Sequence, residues 1–417
     1  MSTLIGNAVV GQSGGPTAAI NATLAGVISG AIKSEEIPKI YGMKNGIEGL
    51  LSENLIELNE IFSDKSKLKL LMTTPAAALG SCRKKLPVKS DGDYKRIFDK
   101  IISIFLKYNI RYFFYIGGND SMDTVAKLSE YTDECGYEMR IIGVPKTIDN
   151  DLIGTDHTPG YGCAAKYIAV TMQEILHDTA VYNMRAVTIV EIMGRDTGWL
   201  TAASALGRLS GAYAPDLVYL PERNFCNELF FEDLAEIFKQ KPNVVVAVSE
   251  GLKYENGRYV GEGTQNEIVD VFGHKYLAGT GKALELAVKA KFGCKVRSVE
   301  LNLPQRCASH ISSACDINES FGVGNAAVHA AEQGISREMM VILRNSEDDG
   351  SYSSVYGHMD IGLIANKTKY VPGNYINARG NNVTDTCLEY ILPLVNGEIY
   401  PQYKKGMPEY FSFDKTD

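Results

Sequence analysis

The chain lacks most of what would mark a disulfide scaffold, a metal protein, a membrane protein or a nucleic-acid binder. Its eight cysteines (82, 135, 163, 226, 294, 307, 315 and 387) are scattered, with no Cys-x-x-Cys pair. That spacing suits neither a zinc site nor a dense disulfide framework. The six histidines show no metal or triad spacing, and His274, His310, His329 and His358 read as structural or solvent-facing. No apolar run approaches the roughly 18 residues of a membrane span, and no signal peptide precedes the first strand-like run. Positive charge is also in deficit, with 42 Lys+Arg against 50 Asp+Glu and a net charge of -8. Nucleic acid and anionic membrane are therefore excluded as main partners. A local patch such as Arg83-Lys84-Lys85 can still serve a small anion. These absences lead us to expect a soluble protein of the reducing cytoplasm.

What is present is ordinary in amount and ordered in pattern. Hydrophobic residues make up 45% and charged residues 22% of 417 positions, too long a chain for one compact core. Strand-like apolar runs recur at residues 4–10, 111–116, 141–144, 186–192, 217–220, 244–248, 296–301 and 339–343. Between them lie helix-like stretches at 18–32, 122–131, 163–179, 229–238, 282–291 and 317–332, with Ile168, Met172, Ile175 and Leu176 at helical spacing. This βαβα rhythm predicts an α/β fold, with a mostly parallel sheet covered by helices on both faces. Beyond residue 345 Tyr, Asn and Gly become frequent. We expect residues 346–417 to be an irregular C-terminal extension with one short helix near 385–392.

Three turns follow strands, where open α/β sheets hold ligands, and the first two are marked by glycine. Gly11-Gln12-Ser13-Gly14-Gly15 is the first. Glycines there let backbone N–H groups approach a phosphate, and the next helix adds its dipole. It is not a Walker A loop. A plain tight turn stays open, as does the formal match to the G-x-S-x-G nucleophile elbow, although that motif needs its serine strand later in the sheet. Gly117-Gly118-Asn119-Asp120-Ser121 permits close backbone approach and offers Asn119 and Asp120 to Mg²⁺, directly or through water. The bland alternative is a helix cap. Pro145-Lys146-Thr147-Ile148-Asp149-Asn150-Asp151 gathers an ammonium and two carboxylates. If the segment is extended, Asp149 and Asp151 point the same way, and two like charges that close raise one pKa, as a general base requires. The rival is a solvated acidic turn.

Further along, Met193-Gly194-Arg195 presents a guanidinium suited to bidentate phosphate binding. Glu250 ends another strand and is a candidate for a sugar hydroxyl. Arg297 and Arg306 flank the last strand of the second half. Trp199, the single tryptophan, reads as core.

Together, over residues 4–345, these motifs resemble the phosphofructokinase family, specifically its pyrophosphate-dependent branch. ATP-dependent members carry glycine where this chain has Asp120 and Lys146. The resemblance implies that Asp120 blocks the place of a nucleotide α-phosphate and that Lys146 contacts pyrophosphate, with Gly14 and Gly15 beside it. It implies Arg83 bridging donor and acceptor phosphates, Asp149 as general base and Asp151 as its supporting carboxylate. Fructose 6-phosphate would be held by Thr147, Ile148, Asp149, Met193, Gly194, Arg195, Glu250, Arg297 and the run Leu303-Pro304-Gln305-Arg306. Three positions depart from the family. Asn119 stands where many members have a Mg²⁺-associated aspartate. Leu303 replaces a Tyr or His, which would leave one contact to the sugar phosphate unmade. Arg185 is one residue out of register with an arginine that family members lend to a neighbouring subunit.

The resemblance thus implies a Mg²⁺-dependent, reversible phosphotransferase acting on fructose 6-phosphate and pyrophosphate, assembled as a homodimer or homotetramer. It implies two doubly wound lobes with the site in the cleft between them: a donor lobe (residues 1–160 and about 307–345), a sugar lobe (about 161–306) and the extension 346–417. The rivals are an ATP-dependent or mixed-donor enzyme and a non-catalytic regulatory subunit. The second of these would be expected to lose Asp149 or Lys146, and the chain keeps both.

Overall fold

The computed structural model of the chain describes residues 4–262, 279–346 and 351–413; His274 lies outside them. The apolar runs form strands β1 (Asn7–Gln12), β2 (Ile40–Met43), β3 (Leu55–Glu57), β4 (Ile110–Gly117), β5 (Arg140–Pro145) and β6 (Ala186–Ile192). After these come β7 (Leu217–Tyr219), β8 (Asn243–Ser249), β9 (Lys295–Glu300), β10 (Ser312–Ser313), β11 (Glu338–Ser346) and β12 (Tyr352–Asp360). A seven-stranded sheet has the order β12-β11-β5-β4-β1-β2-β3. Its interior pairs are parallel, while the edge pairs β2–β3 and β11–β12 are antiparallel. A four-stranded sheet, β7-β8-β6-β9, is parallel throughout.

Side-chain parity explains the layering. Along β4, Tyr112, Phe114 and Ile116 pack with helices Ile20–Lys33 and Ala314–Glu332, while Phe113 and Tyr115 pack with helices Tyr94–Lys107 and Asn119–Glu134. Burying each such side chain contributes about 1.5–3 kcal/mol. The second sheet repeats the scheme. Val190 and Ile192 face helix Tyr161–Ala180, and Val187 and Ile189 face helices Asn227–Ile237 and Thr280–Phe292. Among the described residues no helix is long and apolar enough to cross a membrane.

Two expectations needed correction. Strands β2 and β3 are too short, at four and three residues, to stand out as apolar runs. The extension is also not irregular at its start, because β12 pairs with β11 from Glu338↔Asp360 to Ser346↔Tyr352. An edge strand with both faces half-exposed carries no clean alternation, which hid it. The short helix is present at Asp385–Ile391. Val371, Ile376, Leu388 and Ile391 enter the core of the second sheet, and Phe411 enters that of the first.

Helices Ile20–Lys33 and Ala314–Glu332 cross at van der Waals distance through two glycines. A Cβ on Gly26 would lie 2.0 Å from the Phe321 carbonyl oxygen, and one on Gly324 2.2 Å from that of Thr23. Neither carbonyl can move without breaking a helix. Gly26→Ala and Gly324→Ala should each lower the urea midpoint, by about 1–3 kcal/mol of stability or more, with the m-value unchanged. Wild-type midpoints in both would show that the crossing is looser than drawn.

Candidate active site

Strand β1 sends the chain towards β2 on one side, while β4 pairs on its other side, so a crevice opens past their carboxyl ends. Buried Gln12 organises this end. Leu79 N donates to its Oε1 at 2.9 Å, and its Nε2 donates to Asn21 Oδ1 at 2.9 Å. The 79–83 segment is thereby drawn over the glycine turn, where Ser81 Oγ donates to the Gly14 carbonyl at 2.6 Å. Gly14 adopts φ +77°, and a Cβ there would lie 3.3 Å from Lys146 Nζ. Ser13 is buried and donates to the Cys82 carbonyl at 3.5 Å, which is not the exposed geometry of a nucleophile elbow. Gly14, Gly15, Arg83, Lys84, Lys85 and Arg306 line an open cavity of ≈ 720 Å³.

Lys146 follows β5, whose Pro145 pairs with Gly117. The residue is 3% exposed, and its ammonium donates to the Gly15 carbonyl at 2.6 Å. Burial pulls its pKa down to about 8, against the opposing pull of Asp149 and Asp151. Thr147 Oγ1 donates to Asp149 Oδ2 at 3.3 Å and accepts from Asp149 N at 3.1 Å. Thr197, from the loop after β6, donates to the Asp149 carbonyl at 3.1 Å. Burial pushes the Asp149 carboxyl above its ordinary value, and pushes Asp151 up to about 7 with the Asp149 charge adding to it. The segment is not extended. Asn150, between them, sits at φ +53°, in the left-handed region. The two carboxylates interact across a turn, not along one strand face.

From the second sheet, Met193 N donates to Gln305 Oε1 at 3.1 Å and Gly194 N to Glu250 Oε1 at 3.3 Å. The Ser249 hydroxyl donates to the Gly194 carbonyl. Arg195 Nε is buried without a hydrogen-bond partner, and its positive charge acts on both Asp149 and Glu250. Burial raises Glu250 to about 8, against the Gly194 N–H and the Arg195 charge, which favour its ionised form. Pro304 opens a four-residue helix that carries Gln305 inward, while Leu303 beside it is exposed.

Some candidates lie elsewhere than expected. Arg306 sits on the glycine-turn side, its guanidinium 3.6 Å from where a Gly15 Cβ would be. Arg297 pairs in register with Thr188, four residues before the end of β6, or about 13 Å short of it. It lines a separate pocket with Asp178, Tyr182 and Lys295 and does not reach its own chain's cleft. Arg185 stacks on Phe238 and Phe292, with centroids at 4.2 and 5.4 Å. Trp199 is core, as expected. Asp120 is half-exposed with its carboxylate 3.1 Å from Lys85 Nζ, and Asn119 Nδ2 donates to the Lys367 carbonyl at 3.2 Å. Asn119 Oδ1 is buried and has no hydrogen-bond partner. Sequence reading missed Thr197, Ser81, Lys369 and Tyr390, which touch these loops. Hydroxyls and a lysine in polar stretches carry no pattern that points across so many residues.

The phosphofructokinase family model matches residues 7–331. The chain belongs to the phosphofructokinase family. Among its relatives, the pyrophosphate--fructose 6-phosphate 1-phosphotransferase of Halomonas elongata is 37% identical, over 97% of this chain and 95% of that protein. The protein of the same name from Methylococcus capsulatus is 36% identical over 97% and 95%. Among solved structures, the pyrophosphate-dependent phosphofructokinase of Nitrosospira multiformis superposes with a TM-score of 0.86, at 37% identity over 97% and 95% of the two chains.

If Lys146 is the ammonium that receives an anion at the glycine turn, its protonation governs affinity. Sulfate, whose charge does not change in this range, should bind more weakly as pH rises through 8, because the lysine loses its proton there. Lys146→Met should weaken binding about tenfold at pH 7 and abolish the pH dependence. Calorimetric titration that shows the same slope in wild type and variant would assign the anion to other residues.

Proposed function

We propose that this chain transfers a phosphoryl group reversibly between pyrophosphate and the 1-hydroxyl of fructose 6-phosphate. The carrying observation is Lys146: a buried lysine whose ammonium bonds to the glycine turn, three residues from the half-buried Asp149. Asp149 takes the proton from O1 as O1 bonds to the terminal phosphorus of pyrophosphate. The bridging P–O bond breaks, and its electron pair leaves with inorganic phosphate. In the reverse direction Asp149 returns the proton. Lys146, Arg83, Arg195 and Arg306 offset the charge on the phosphoryl oxygens, the main electrostatic demand of this transfer. Asp151 keeps the surroundings of Asp149 negative and so preserves its basicity. Thr147, Ile148, Met193, Gly194, Gln305 and Glu250 are assigned to the sugar phosphate.

The donor assignment rests on Lys146 and Asp120. Both fill space and add charge where ATP-dependent members have glycine, so a nucleotide α-phosphate meets a carboxylate. Among the described residues no cluster of three or more His, Cys, Asp or Glu could hold a metal unaided. The orphaned Asn119 Oδ1 and the Asp120 carboxylate fit a Mg²⁺ whose other ligands are substrate phosphates and water, as is usual for this ion. When bound, Mg²⁺ supplies charge neutralisation to the phosphates.

We assign pyrophosphate to the lobe of residues 1–160 and 307–345 and the sugar to that of 161–306. Both substrates are cytoplasmic metabolites, which makes the cytoplasm the proposed compartment. A homodimer or homotetramer is part of the proposal. Arg297 can serve a sugar phosphate only in the cleft of a neighbouring copy, and exposed Val181, Tyr182 and Met184 beside it form an apolar patch suited to one.

Bisphosphate formation with pyrophosphate, ATP or ADP as sole donor tests the reading. Wild type should use pyrophosphate alone, and Asp120→Gly/Lys146→Gly should gain ATP use. Strong ATP use by wild type without pyrophosphate use would refute the donor assignment and leave the sugar kinase reading intact. Asp149→Asn should lower kcat about 10²- to 10⁴-fold with the fold retained. The pH profile of kcat/KM should be a bell. Activity falls on the acid side as the Asp149/Asp151 pair takes up a proton, and on the alkaline side near pH 8 as Lys146 loses one.

A further inference from the structure

We infer that Lys369, in the C-terminal extension, is a positioning residue that holds the Asp149–Asp151 turn in its working shape through Asn150 and the carbonyls of Thr155 and Asp156. The inference rests on the proposed reading, in which Asp149 is the base. An ammonium has three N–H donors. Those of Lys369 meet Asn150 Oδ1 at 3.1 Å, Asp156 O at 2.7 Å and Thr155 O at 3.3 Å. All three acceptors belong to the loop that carries the base, and none to the extension. The backbone N–H of Lys369 adds a fourth bond, to the Asp151 carbonyl at 2.7 Å. The lysine thus pinches the two ends of the loop together, from 150–151 to 155–156.

Tyr390, also from the extension, fastens the same loop. Its hydroxyl donates to the Asp156 carbonyl at 2.6 Å and accepts from Asn150 Nδ2 at 3.0 Å. Both ends of the Asn150 amide are therefore held, while its backbone occupies the left-handed conformation between Asp149 and Asp151. The fasteners are themselves anchored. Trp199 Nε1 donates to the Lys369 carbonyl at 3.0 Å, and the ammonium lies 5.4 Å from the centre of the Trp199 ring.

The plain alternative is that the extension only covers apolar surface. A leucine or methionine at 369 would do that without the cost of burying an ammonium. Burial indeed draws Lys369 down to about 8, against Asp156 and Asp151, which favour its charge, and with Arg344, which opposes it. Around the carboxylates, Asp149 faces Lys146, Arg195 and Asp196, and Asp151 faces Asp149, Lys369 and Asp196. Lys369 is the positive group that restrains the basicity of Asp151. Its loss leaves the pair harder to ionise.

Full-length wild type, Lys369→Met, Lys369→Arg and Tyr390→Phe are compared in steady-state kinetics across pH. For Lys369→Met we expect kcat to fall about 10- to 100-fold, KM for both substrates to stay within about threefold, and the acid limb to move to higher pH. Lys369→Arg should restore the limb, because the charge returns, and Tyr390→Phe should lower kcat less and leave the limb in place. Wild-type kcat and an unmoved limb in Lys369→Met overturn the inference. Should that variant not fold, Tyr390→Phe with wild-type kcat overturns it instead. Wild-type turnover with pyrophosphate is the separate control on the underlying reading. Hydrogen exchange over residues 149–156 gives an answer that needs no turnover: faster exchange in Lys369→Met supports the inference, and unchanged exchange refutes it.

Discussion

Holding a buried ammonium beside two half-buried carboxylates is the constraint around which the rest of the structure is arranged. Each of these charges alone would be costly to bury, and their mutual attraction repays the cost only where the remaining donors and acceptors are also met. Lys146 meets the Gly15 carbonyl, and Asp149 meets the Thr147 hydroxyl. This arrangement needs β1, β4 and β5 side by side and parallel, with their carboxyl ends level, so that three successive loops open into one crevice. Buried phenylalanines and tyrosines on both faces of β4 hold that alignment. The second sheet completes the balance with the Arg195 charge, aimed at Asp149 and Glu250.

The extension takes part in the same balance. It begins as an edge strand on the first sheet, then enters the core of the second, and Phe411 returns to the core of the first. A segment fixed at so many points can place a side chain with precision. That is how Lys369 and Tyr390 come to meet Asn150 with polar atoms 3.0–3.1 Å apart. Glycine has the opposite role in the helix pair at 20–33 and 314–332, where the lack of a side chain lets two backbones touch and brings the late helix under the first sheet.

How much was legible follows from how far apart the cooperating residues lie. The glycine turns, Lys146, Asp149 and Asp151 sit in short contiguous motifs that end apolar runs, and strand positions were readable where such a run stands out from its surroundings. Reading failed where geometry departs from local pattern. Asn150 is left-handed, so the two acids do not share a strand face. Arg306 belongs with the glycine turn, and Arg297 stands about four residues short of the cleft. Strand β12, half-exposed on both faces, carried no alternation to read.

The linear chain by itself determined the α/β layering, because runs of buried apolar residues at strand length allow little else, and it determined which chemical groups are concentrated at the strand ends. Only the tertiary structure decided which of those groups meet. Lys369 is 219 residues from the Asn150 amide it holds, and no local preference specifies such a contact. It arises when two cores and an extension close on one another. The same closure sets how far Lys146, Asp149 and Asp151 move from their ordinary protonation behaviour, since that depends on the water excluded and not on the order of residues.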